Sequence, residues 1–193
     1  MGHYEAMEPP AAAVPSGGGS RRLATGGSLS DKGEIPMTPD DITKQLSGMR
    51  DYFNRSTRPL QEEHSNFAPQ AGLFTVAGQV AHVAQTVDWF FEGAFGSGWN
   101  MDFEAMDRQV RAVSSLAEAR QWFERAVARA AEIAGRHSAE EWASPFPPNP
   151  IMGETPRHAI ISALVDHTAH HRGALTVYQR LLGLTPPMPY MDM

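Results

Sequence analysis

Between Pro156 and Gly183 the inward-facing side chains recur at one spacing only. Ile160, Leu164, His167, His171, Leu175, Tyr178 and Leu182 follow one another at steps of three or four, the repeat of one face of an α-helix. A strand would need apolar residues at every second position, so the segment can bury this face only as a helix. Two of those positions are histidines, and the fold must therefore take two imidazoles, one turn apart, into its interior. Thr155-Pro156 marks the expected start of the helix and Gly183 its expected end, where the missing side chain suits a left-handed terminus.

The rest of the chain supplies partners of the same kind. Thr38-Pro39-Asp40-Asp41 combines a hydroxyl cap, a proline at the first helical position and an acid three residues after the cap. Ile42, Leu46, Met49, Phe53 and Leu60 then share one face, with a bend or break expected between Ser56 and Pro59. A second helix is expected from Thr75 to Ala94, with Val76, Val80, Val83 and Val87 along its buried stripe, ending at Gly96-Ser97-Gly98. Met106, Val110, Val113, Leu116, Phe123, Val127 and Ala130 predict a third, long helix from Phe103 to Gly135. Ser138-Ala139-Glu140-Glu141 has the capping-box pattern of a short helical turn, and the proline-rich stretch from Pro145 to Pro150 is a connecting loop. No segment alternates with a period of two between hairpin turns. Four amphipathic helices, each with one stripe that only the others can cover, predict an all-α four-helix bundle over residues 38–193.

Residues 1–37 are rich in Gly, Pro, Ala and Ser, and bury too little apolar surface to offset the entropy of ordering, so they are expected to be a disordered leader. No apolar run approaches the ~20 residues needed to cross a bilayer, and the first residues lack the pattern of a secretory signal, so a cytoplasmic protein is expected. The net charge of −6 and the absence of a basic block argue against nucleic acid as a partner. Cysteine is absent, which removes disulfides, thiolate ligands and a cysteine nucleophile together.

A single inward histidine is usually a core residue with a hydrogen-bonded ring. A pair on one stripe would need two separate sets of partners, whereas one cation satisfies both rings. Asp166 and His170 form a competing pair four residues apart, but their stripe is less apolar and belongs on the flank. A third ligand must come from another helix. His82 lies in a strongly helical segment, about a third of a turn from the centre of the valine stripe; His64 lies near the end of the first helix beside Glu62 and Glu63.

The run His167-Thr168-Ala169-His170-His171-Arg172-Gly173, followed by Tyr178, Arg180, Leu181, Gly183, Pro186 and Pro187, resembles the last helix of the DinB/YfiT-like superfamily, and Gln79-Val80-Ala81-His82 resembles its second-helix histidine motif. The resemblance spans roughly Thr38 to Tyr190. It implies that His82, His167 and His171 are three ligands of a divalent metal ion, zinc or nickel, and that the protein forms a homodimer. The extra His170 and the long leader depart from the pattern.

Three imidazoles leave a coordination position for water or substrate, and an ion so held can lower the pKa of bound water or keep a thiol as thiolate. Some members of the superfamily transfer low-molecular-weight thiols or isomerise substrates with a thiol cofactor. A metal-dependent transferase with a small-molecule thiol or electrophile as its partner is the reading this resemblance implies. Metal-dependent hydrolysis, a non-catalytic metal-binding stress-response bundle and a plain helical interaction protein are the alternatives. Around the site, Arg172 is a candidate for a cosubstrate carboxylate or a salt bridge, Asp166 for an acceptor behind a ligand ring, and Gln85 and Trp89 for the mouth of a pocket.

Overall fold

The computed structural model describes residues 37–191, so the leader expected over 1–37 lies almost wholly outside the described residues. The order of elements is α1 (Pro39–Thr57), a 3₁₀ turn (Glu62–His64), α2 (Val76–Phe95), α3 (Phe103–Arg111), α4 (Leu116–Arg136), α5 (Ala139–Ala143) and α6 (Ala159–Leu181). Among the described residues the secondary structure is all-helical, apart from one isolated bridge between Pro145 and Pro156.

The first helix begins as its sequence dictates. Thr38 Oγ1 accepts from the Asp41 amide at 3.2 Å, the Asp41 carboxylate accepts from the Thr38 amide at 3.1 Å, and Pro39 occupies the first turn where no amide is needed. It stops at Thr57, just before Pro59. Arg120 of α4 then donates to the carbonyls of Thr57 and Leu60 at 2.9 and 3.1 Å, tying the end of α1 and the turn after it to α4.

Two expected boundaries are corrected. The long third helix divides into α3 and α4, because Ser115 leaves the helical path and its hydroxyl caps the new helix by accepting from the Glu118 amide at 3.2 Å. Val113-Ser114-Ser115 is a poor helix interior, with a β-branched residue and two serines whose hydroxyls compete for the backbone. The last helix starts at Ala159 rather than Thr155, since Pro156 to His158 form a turn whose carbonyls accept from Ala159, Ile160 and Ile161. Its end is as expected: Gly183 has φ +77, a conformation that costs a side-chain-bearing residue energy.

The four long helices pack as a ring. α1 and α2 each lie against both α4 and α6, and α3 leans on α2. Ile42, Leu46 and Phe53 of α1, Val80, Val83 and Val87 of α2, Phe123 and Val127 of α4, and Ile160, Leu164 and Leu175 of α6 share one buried core. Trp142 of α5 is fully buried against Phe91 and Phe95 and closes one end. Arg157 clamps the incoming loop there, donating to the carbonyls of Ala94 and Pro145 and to the Ser144 hydroxyl. That clamp fixes where α6 enters, and so which of its faces meets α2.

Candidate metal centre

The packing of α6 on α2 brings three imidazoles together. His167 and His171 stand one turn apart on the buried stripe of α6, and His82 reaches them from α2. His167 Nε2 lies 3.2 Å from His82 Nε2 and 3.2 Å from His171 Nε2, and the ligand atoms of all three rings lie within 4.8 Å of one another. Two nitrogens bound to one ion at about 2.0–2.1 Å and a tetrahedral angle stand ~3.3 Å apart. The donor set therefore has the chemistry and spacing of a metal site.

Hydrogen bonds alone do not satisfy the edge of His167 that faces the other two rings. Among the described residues His167 Nδ1 is buried without a hydrogen-bond partner, while its Nε2 faces two other ring nitrogens. A single proton on that edge can serve only one of the two neighbours, whereas a cation can accept a lone pair from all three. His171 is held differently: its Nδ1 is 2.5 Å from Gln79 Oε1, Gln79 Nε2 is 3.4 Å from the Tyr178 hydroxyl, and that hydroxyl donates to the Phe74 carbonyl at 3.1 Å.

Electrostatics keep the rings in ligand form. Burial, aided by His82 and His170, pushes the His167 pKa down to about 4. Burial, aided by His167, His82 and His170, pushes His171 down to about 3. His82 is lowered by burial against the pull of the Asp107 carboxylate, with His170 lowering it further. Neutral imidazole is the form that binds metal.

One wall of the site is built in layers. The Phe74 ring stacks on His82 with centroids 5.3 Å apart, the Arg111 guanidinium lies 4.5 Å above the Phe74 ring, and Asp107 holds Arg111 at 2.7 Å. Arg111 also donates to the Gly72 carbonyl, fastening the loop that precedes α2.

The other residues singled out in the sequence fall elsewhere. His64 accepts from the Gln61 amide within the 3₁₀ turn and is not among the three rings. His170 is exposed, edge-on to His171 at 5.0 Å between centroids. Asp166 is exposed, and no hydrogen bond joins it to a ligand ring among the described residues. Arg172 stands over the rings of Tyr52 and Tyr190, beside a groove between α1 and α6. Gln85 and Trp89 line a cavity of about 280 Å³ with residues of α3 and α4, and none of the three histidines lines it. The sequence reading gave Gln79 no role. Its position three residues before His82, on the same helical face, was the available signal.

An all-helical domain with three converging imidazoles defines a protein with a candidate metal centre inside a helical core. The family model described as the DinB family matches residues 36–193, and the chain belongs to that family. No curated protein matches the chain. No helix among the described residues is long and apolar enough to cross a membrane.

Proposed function

We propose that this DinB-family protein is a metal-dependent transferase, in which His82, His167 and His171 hold one divalent ion, zinc or nickel, and the site activates a low-molecular-weight thiol for attack on an electrophile. The observation that carries the reading is the convergence of three Nε2 atoms from two helices, with rings held neutral by burial. A bound ion of this kind supplies Lewis acidity, keeping an incoming thiol as thiolate or a water as hydroxide.

The chain's own residues do the remainder. The three rings present lone pairs and leave a side open for an exchangeable ligand, since three protein ligands do not close a tetrahedral site. Phe74 covers His82, and Gln79 holds His171 from behind. With no cysteine in the chain, the thiol is a partner from outside. The apolar side chains that α6 leaves exposed, Val165, Val177 and Leu181, support a homodimer.

The test uses full-length protein purified without a metal-affinity step. Elemental analysis is expected to find close to one equivalent of metal, and the cobalt-substituted protein is expected to change its visible spectrum when one of a panel of small thiols is added, with a conjugate forming when an electrophile follows. A spectrum that no thiol perturbs, with no conjugate, removes the transferase. Conversion of ester or amide probes by the same sample would instead favour a hydrolase.

A further inference from the structure

The hydrogen-bond chain behind His171 has a polarity that can be read from its far end. A backbone carbonyl only accepts, so the Tyr178 hydroxyl, 3.1 Å from the Phe74 oxygen, spends its one proton there. Toward Gln79 the same hydroxyl can then only accept, and the Gln79 Nε2 group at 3.4 Å must donate. This orients the amide, leaving Oε1 2.5 Å from His171 Nδ1. An amide oxygen only accepts, so the ring proton sits on Nδ1, and in a neutral imidazole Nε2 then carries the lone pair.

We propose that Gln79 and Tyr178 are positioning residues that lock His171 in its Nδ1–H tautomer, so that its Nε2 lone pair faces the site before any metal arrives. The inference rests on the metal-centre reading for its purpose and on the hydrogen-bond geometry for its substance. Flipping the amide breaks the chain at the other end: Tyr178 would have to donate to Gln79, and the Phe74 carbonyl would lose its partner. Gln79 and Tyr178 are only 7% and 5% exposed, so water has little access to repair the loss.

The lock belongs to one ring of the three. Among the described residues His167 Nδ1 has no partner, and the His82 ring has a hydrogen-bond contact only with His167 Nε2. His171 is the anchor about which the other two settle. The device also couples the loop before α2 to the site twice through one residue, because the Phe74 carbonyl ends the chain while the Phe74 ring covers His82.

Free neutral histidine prefers its proton on Nε2, so the tautomer at His171 is informative. Long-range proton–nitrogen NMR of the metal-free, full-length protein near neutral pH is expected to show the Nδ1–H pattern at His171. Gln79→Leu, which removes the acceptor, is expected to return the ring to the Nε2–H form or a mixture, and to weaken zinc binding by about 10–100-fold in a chelator competition. Gln79→Glu, which keeps an oxygen against Nδ1, should restore the pattern. Tyr178→Phe, which frees the amide to flip, should give a mixture. An Nε2–H pattern in the unsubstituted protein overturns the lock outright, as does a full Nδ1–H pattern in Gln79→Leu; the unsubstituted protein and Tyr178→Phe decide the matter if Gln79→Leu does not fold. If the Nδ1–H pattern is found but zinc does not bind, the metal centre fails and the lock stands. If zinc binds and the pattern is absent, the lock alone fails.

Discussion

His82 and His167 face each other with their Nε2 atoms 3.2 Å apart across the α2–α6 interface, although 85 positions separate them in the chain. Uncharged imidazoles at that distance either share one proton or present two lone pairs to the same space. An ion in that space would also tie together two helices that packing and the contacts of Gln79 with His171 and Tyr178 already join.

Metal binding should therefore register as stability. Zinc at a hundredfold excess over its dissociation constant contributes about 2.7 kcal/mol to the folded state. At roughly 2–4 °C per kcal/mol for a domain of this size, the melting temperature should rise by about 5–10 °C. Calorimetry with zinc, and again after chelation, checks this. His82→Ala should melt at one temperature in both conditions, and a persisting zinc shift in that variant would show the ion is bound elsewhere.

The depressed ring pKa values predict an acid-sensitive metal-free protein. An unfolded histidine titrates near 6.5, whereas His167 and His171 are held down to about 4 and about 3 by burial and by neighbouring rings. Below about pH 6.5 the unfolded chain therefore takes up protons that the folded one refuses. Stability should be flat from pH 8 to 7 and fall between about 6.5 and 4. Urea midpoints at pH 8, 7 and 5 measure it, with His167→Ala/His171→Ala as the control. The control should fall less steeply over this window, and equal slopes would assign the acid sensitivity to carboxylates.

Much of the fold was legible because its signals are local. The Thr38 cap with Pro39 and Asp41, the Ser138 capping box and Gly183 all do what their residue types require. The break at Ser115 was not legible from periodicity, because Val110, Val113 and Leu116 keep helical spacing across it; only the local chemistry of paired serines betrays it. His82 looked peripheral for a related reason. The valine stripe marks one buried face of α2, yet that helix packs against α3, α4 and α6 together, so Gln79, Ala81 and Thr86 are buried as well. A helix enclosed on several sides has no single stripe from which to measure a flank. The role of Gln79 depends on Tyr178, 99 positions away, which no local pattern in α2 encodes.

Fold and site should separate experimentally. Phe53 of α1 is 1% exposed and its ring stands 4.9 Å from that of Phe123 on α4, distant in the helical ring from the α2–α6 seam. Phe53→Ala leaves a cavity and should cost about 3–5 kcal/mol. Denaturant unfolding measures the loss, and zinc stoichiometry below the transition should stay at that of the unsubstituted protein. Lost zinc binding in folded Phe53→Ala would mean that the α1–α4 core also sets the geometry of the centre.

The Phe74 ring offers a last separation, between cover and anchor. It stacks on His82 at 5.3 Å, and burial is the largest cause of the lowered His82 pKa. Phe74→Ala removes that cover but keeps the backbone carbonyl to which Tyr178 donates. The His82 ring should regain water, and its NMR titration midpoint should move up toward 6.5. The Asp107 carboxylate already pulls in that upward direction against the burial. His171, held from behind by Gln79, should keep its Nδ1–H pattern throughout. An unmoved His82 midpoint would place the source of its burial in α6 rather than in the loop before α2, and a changed His171 tautomer would mean that the ring of Phe74, and not only its carbonyl, holds the chain in place.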